Sequence, residues 1–182
     1  GLQAKLGITP DLTSFGKYLG GGITFGAFGG RERFLAAFDP RRPDALPHAG
    51  TFNNNVLSMA AGATGLREVF TPEAAETLNH KGDNLRDRIK AAAERQGVPV
   101  QVMVVGSILS IHYQDTPIQR PEDAETTLDS ARILTHLALT ERGFITARRG
   151  FMSLSLVLEE AHYDAFADAF EDVLSEWRDV LT

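Results

Sequence analysis

Lys17 stands alone as a charge in FGKYLGGGITFGAFGG, the stretch from Phe15 to Gly30, which also holds seven glycines. Glycine is kept where backbone must turn tightly or pass close to something. An amine held between Phe15, Tyr18 and Leu19 would be partly desolvated, which disfavours its charged form. A neutral amine can attack a carbonyl, form a Schiff base and afterwards carry a proton. The plainer reading is a solvated loop lysine, which most lysines are. Two phosphate-loop patterns fail here. A Walker A loop needs a glycine where Asp11 stands and Ser or Thr where Tyr18 stands. The dinucleotide pattern needs a glycine where Phe25 stands.

Other candidates are fewer. Thr51 follows Gly50 in a turn before a helix, where it could be a turn threonine, cap that helix or bind an anion. Arg148 and Arg149 precede Gly150 in TARRGFMSL. They read equally as paired surface arginines or as a fork for a carboxylate. Asn53, Asn54 and Asn55 read as turn residues that start the helix, or as amides lining a site, the first being the plainer reading. Arg41 and Arg42, in a proline-rich loop, read as solvated. The five histidines, His48, His80, His112, His136 and His162, show no metal spacing. His48 alone lies beside the Gly-Thr turn.

The elements around these residues follow from composition and pattern. The chain has 182 residues, 43% hydrophobic and 23% charged, an ordinary globular balance. It has no cysteine, which removes disulfides and thiolate metal sites. A net charge of -6 argues against a broad nucleic-acid surface, though not against a local cationic pocket. No apolar run reaches membrane-spanning length and no signal peptide is visible, so a cytoplasmic protein is the expectation.

Pattern places a strand at Ile23–Phe28, a short helix at Arg31–Phe38, a loop with three prolines at Asp39–Asn55 and a small-residue helix at Val56–Phe70. Thr71 caps a helix that opens on Pro72 and runs to about Gln96, ended by Gly97. VPVQVMVV and ILSIHYQ read as strands around Gly106-Ser107. A helix is expected over Pro121–Arg142, one or two strands broken at Gly150 in FITARRGFMSLSLVL, and a last helix from about Glu160 to Leu181. Its apolar face is Tyr163, Phe166, Phe170, Val173, Leu174 and Trp177. Residues 98–182 thus read as an α+β unit. The first 70 residues offer too few elements to enclose a core.

PDLTSFGKYLGGGITFGAFGGR resembles the cofactor-lysine segment of class III aminotransferases, fold-type I enzymes dependent on pyridoxal 5′-phosphate (PLP). HAGTFNNNVLSMAAGATGL resembles that family's Gly-Thr phosphate segment, and GFMSLSL its strand near the substrate carboxylate. Within the family the sequence is similar to the glutamate-1-semialdehyde aminomutase-like branch, which includes aromatic β-amino acid transaminases.

The resemblance implies a fold of α/β plus α+β type. Residues 1–72 would close a PLP-binding large domain, 73–97 would be a connecting helix, and 98–182 a C-terminal small domain. It implies that Lys17 forms the Schiff base with PLP, that Gly50 and Thr51 bind the phosphate from the partner subunit of a homodimer, and that Arg149 binds the substrate carboxylate. Small amino and oxo acids would be the substrates, with no metal, nucleic acid or membrane involved. The family's acidic partner of the pyridine nitrogen, its ring-stacking aromatic residue and its glycine/serine phosphate turn all lie upstream of the lysine. The chain therefore reads as the C-terminal part of such a protein. An aminomutase, or a non-catalytic fragment, are the other readings.

Overall fold

A computed structural model describes every residue except Gly1, Gly21, Phe52, Asn54, Thr127 and Leu128. The chain divides into two units, Gly1–Pro72 and Glu73–Thr182.

The first unit opens with a one-turn helix, α1 (Leu2–Lys5), followed by β1 (Leu12–Gly16). A 3₁₀ turn, Lys17–Gly20, leads to β2 (Gly26–Gly30), which pairs with β1 in antiparallel register, Leu12 opposite Gly30 and Gly16 opposite Gly26. Sequence pattern placed one strand at Ile23–Phe28. The observed strand starts three residues later because Ile23 N–H closes a turn onto Gly20 O at 3.1 Å. β1 carried no clear alternation, and three of the five residues of β2 are glycine, so neither prints a strong strand signal.

Asp11 holds the far end of the hairpin through Arg31 (3.1 Å) and Arg33 (2.8 Å). The short helix α2 (Glu32–Leu35) continues as a 3₁₀ turn to Phe38. The proline-rich stretch from Asp39 onward has no regular structure before α3 (Val56–Thr64). Asn55 caps α3, its side chain accepting Ser58 N–H at 3.1 Å.

The small residues of α3 have a physical use. A Cβ on Gly62 would stand 2.1 Å from the Phe25 ring, and one on Gly20 would stand 2.5 Å from Phe25 Cβ. Phe25 therefore occupies a slot that only glycine on both sides leaves open. Ser58 Oγ donates to Thr24 O at 2.7 Å and fastens the same contact. Past α3 the helix widens to a π-turn over Gly65–Val69, with Phe70 N–H on Gly65 O at 2.7 Å. Leu19 is the only large apolar side chain buried among the described residues of this unit. Val56, Leu57 and Met59 are 77%, 70% and 60% exposed.

The second unit is built on α4 (Pro72–Gln96), whose Leu85, Ile89, Ala92 and Ala93 enter its core. Gly97, at φ 66°, stops the helix. β3 (Val100–Val105) and β4 (Ile108–Tyr113) form an antiparallel hairpin, and β5 (Phe151–Ser153) pairs with β4. Val100, Val102, Leu109, Ile111, Tyr113 and Met152 turn inward from one face, as strand alternation requires. The expected helix from Pro121 divides into a 3₁₀ turn, Pro121–Thr126, and α5 (Asp129–Glu141). Between α5 and β5 the chain is not a strand. Phe144 N–H still bonds back to Leu139 O at 2.9 Å, and Gly150 N–H closes a turn on Ala147 O at 2.9 Å, so only Phe151–Ser153 is free to join β4.

The last helix is broken at Trp177 into α6 (Glu160–Glu176) and α7 (Arg178–Leu181). Tyr163, Phe166, Phe170, Val173, Leu174 and Leu181 are buried against the sheet and α4. One buried polar pair is satisfied: Thr135 Oγ1 donates to Ala131 O (2.8 Å) and receives the Tyr113 hydroxyl (2.6 Å). Burial pushes that phenol up to about 12. Among the described residues no helix is long and apolar enough to cross a membrane, and no His/Cys/Asp/Glu group could hold a metal.

α4 and α6 are also joined by charge. Arg88 meets Glu160 and Asp164, both at 2.6 Å, and Arg95 Nε donates to Glu171 at 2.9 Å. Hydrogen bonds from Arg95 and then Gln96 lower the Glu171 carboxyl from its ordinary 4.5 to about 2. A depressed carboxyl stabilises the fold above the unfolded value and loses that effect as pH falls towards the folded one. Thermal stability is therefore expected to drop between about pH 4.5 and about pH 2, and Glu171→Gln to make that drop shallower. An equal acid loss in Glu171→Gln, followed by circular dichroism, would assign the sensitivity to other carboxylates.

Candidate functional site

Lys17 follows the last residue of β1 and takes a left-handed backbone, φ 58°, the only non-glycine residue to do so among the described residues. That conformation costs an L-residue roughly 1–2 kcal/mol. Outliers of this kind cluster where a side chain must be aimed. The side chain is exposed, with no carboxylate in ion-pair range among the described residues. Of the apolar residues flanking it, Phe15 is 44% exposed and Leu19 is buried. What the local fold supplies is direction and an unpaired amine.

Gly50 and Thr51 are exposed in a turn ahead of α3, closed by Asn53 N–H on Gly50 O at 3.1 Å. Capping of α3 belongs to Asn55, so of the two structural roles that sequence allowed Thr51, helix cap and turn residue, only the turn remains. Asn54 lies outside the described residues. His48 joins Phe28 and Phe38 in an edge-to-face trio with centroids 5.3 to 5.9 Å apart. Arg41 and Arg42 are taken up by neighbouring carboxylates, Asp39 at 2.7 Å and Asp44 at 2.9 Å.

Arg149 belongs to the second unit. It is exposed, with its guanidinium over the Phe151 ring at 5.2 Å. No acidic side chain lies in ion-pair range of it among the described residues. Its turn is held from α5, where Arg132 Nη1 donates to Arg149 O at 3.3 Å. Sequence reading passed over Arg132, which stands 17 residues away with nothing in its spacing to mark it. A second feature of this unit is an apolar cavity of about 470 Å³ lined by residues including Leu85, Phe144, Ile145, Phe151 and Phe166.

These features meet a known family. The sequence model for the family described as Aminotransferase class-III matches residues 2–174, and the chain belongs to that family. It is 44% identical over 169 residues to the beta-phenylalanine transaminase of Variovorax paradoxus, covering 93% of this chain and 39% of that protein. It is 34% identical over 182 residues to glutamate-1-semialdehyde 2,1-aminomutase 2 of Brevibacillus brevis, covering 94% and 42%. The crystal structure of a beta-phenylalanine aminotransferase from Variovorax paradoxus matches the whole chain with TM-score 0.91 and 42% identity, over 42% of its own length. The chain thus has the fold of the corresponding region of the PLP fold-type I transaminases and spans about two fifths of the length of the relatives it matches.

Proposed function

We propose that this chain supplies the reactive amine and part of the cofactor and substrate contacts of a PLP-dependent aminotransferase. The reaction moves an amino group between an amino acid, of β-amino type as in the Variovorax relative's name, and a 2-oxo acid. The observation that carries the reading is Lys17: an unpaired amine on a backbone held left-handed at a strand end. PLP, when bound, supplies an aldehyde for a Schiff base with Lys17 and a ring that holds electron density. Lys17 Nζ would hold the cofactor and would carry a proton to and from the substrate carbon. Gly50 and Thr51 offer a backbone N–H and a hydroxyl to the phosphate, reaching the site of a second subunit in a homodimer. Arg149 offers its fork to the substrate carboxylate.

Thr51→Ala is expected to weaken PLP binding by about one to two decades in Kd, the cost of one hydrogen bond to a charged group, without abolishing attachment to Lys17. Asn55→Ala, which loses the helix cap, is the contrast: it lowers stability by about 1 kcal/mol. An unchanged PLP affinity in Thr51→Ala would remove Thr51 from the phosphate site.

The aminomutase relatives favour a second reading, in which the first product is held for the return step. Dependence of turnover on a free 2-oxo acid acceptor supports the aminotransferase, and turnover without one supports the mutase. Failure of the chain and of the full-length gene product to give a visible or near-ultraviolet chromophore with PLP would favour a non-catalytic role.

A further inference from the structure

We propose that Arg132 is a positioning residue for Arg149. Anchored on Asp129, its guanidinium holds the Arg149 main-chain carbonyl and so fixes the turn that presents the Arg149 side chain to a carboxylate. The inference rests on the reading of Arg149 as the carboxylate-binding residue.

The turn from Ala147 to Phe151 is held from three sides. Within it, Gly150 N–H bonds to Ala147 O and Ala147 N–H to Phe151 O, at 2.9 and 3.2 Å. From β4, Ile111 N–H bonds to Gly150 O at 2.9 Å. From α5, Arg132 Nη1 reaches Arg149 O, while Nη2 is paired with Asp129 one turn earlier on the helix. Gly150 sits at φ 78°, and a Cβ there would stand 2.6 Å from Ile111 O and 3.2 Å from Arg132 Cδ. The turn is thus wedged between the β4 backbone and the Arg132 stem, and only a glycine fits the wedge.

The division of labour between the two arginines follows from exposure. The Arg132 side chain is 18% exposed, and its Nε is buried without a protein acceptor. Each of its terminal nitrogens donates within the protein and its Nε is buried, so Arg132 is less open to a substrate than Arg149. Arg149 is exposed, rests on Phe151, and keeps its donors. A guanidinium recognises a carboxylate bidentately only when its plane is aimed, so a residue that fixes its backbone acts on substrate binding before it acts on turnover.

In the full-length, PLP-loaded protein, Arg132→Ala is expected to raise KM for a carboxylate-bearing amino donor roughly tenfold, with kcat within about twofold. With an amine donor that lacks the carboxylate, kcat/KM is expected to stay within about twofold. Asp129→Asn, at an exposed position, is expected to shift KM the same way by a smaller factor, and Arg132→Lys to recover part of the loss. Arg149→Ala alone raises the same KM, and adding Arg132→Ala to it changes KM by less than about twofold.

If Arg149→Ala leaves KM unchanged, the reading of Arg149 fails and this inference falls with it. If Arg149→Ala raises KM but neither Arg132→Ala nor Asp129→Asn does, the role of Arg149 stands and that of Arg132 is overturned. Equal losses with both donors would also overturn it, marking Arg132 as a structural residue only.

Discussion

Lys17→Ala is expected to abolish the specific PLP chromophore and to lower turnover of the full-length protein by at least about 10²-fold, the low end of what a positioned proton carrier contributes. The chain has four lysines, Lys5, Lys17, Lys81 and Lys90. Lys81 donates to Leu158 O at 3.2 Å and lies over the Tyr163 ring at 5.3 Å, so its ammonium is already employed. Lys5 ends a one-turn helix and Lys90 lies within α4. Borohydride reduction and peptide mapping should therefore recover the adduct on Lys17. An adduct on one of the other three would overturn the assignment.

The left-handed backbone adds a second readout. Lys17→Ala keeps the Cβ and its strain, while Lys17→Gly removes both. Glycine regains freedom in the unfolded chain, which offsets part of the relief, so Lys17→Gly should be the more stable of the two by about 1 kcal/mol. Both should be equally inactive. The two variants separate the lysine's chemistry from the conformation its position imposes.

Phe170→Ala is expected to cost about 3–5 kcal/mol, the range for deleting a buried aromatic side chain. Phe170 has no exposed surface, is stacked on Phe166 with centroids 6.3 Å apart, and lies among Val173, Leu174, Leu109 and Ile89, each likewise 0% exposed. Natural domains hold only about 5–15 kcal/mol in total, so the loss should shift the urea midpoint far down or unfold the second unit. Val157→Ala, at a position 80% exposed, is the control and should stay within about 0.5 kcal/mol. A Phe170 variant no less stable than this control would mean that the core lies elsewhere.

The two units differ in how much of this was legible beforehand. In the second, long periodic segments and strand alternation disclosed α4, the β3–β4 hairpin and the apolar face of α6, because hydrophobic spacing is a local signal. The short length of β5 and the break at Trp177 answered to hydrogen bonds and packing that spacing does not encode, as did the widening of α3 into a π-turn in the first unit. In the first unit the candidate site was easier to single out than the fold. Lys17, Gly50 and Thr51, like Arg149 in the second unit, were marked by residue type and by resemblance to family motifs, whereas β1 and β2 left little pattern because glycine-rich strands have few side chains to alternate.

Taken alone, the sequence determined the family and the helices and hairpin of the second unit, and it singled out Lys17 as the candidate for the reactive amine, all of which depend on residue identity and near-neighbour spacing. Only the tertiary structure decided that Lys17 is left-handed, that Asn55 rather than Thr51 caps α3, that Phe25 fills a slot between Gly20 and Gly62, and that Arg132 holds the turn bearing Arg149. Each of these is a meeting of groups brought together by the fold, and such meetings depend on where the backbone runs in space, which no local pattern of residues records.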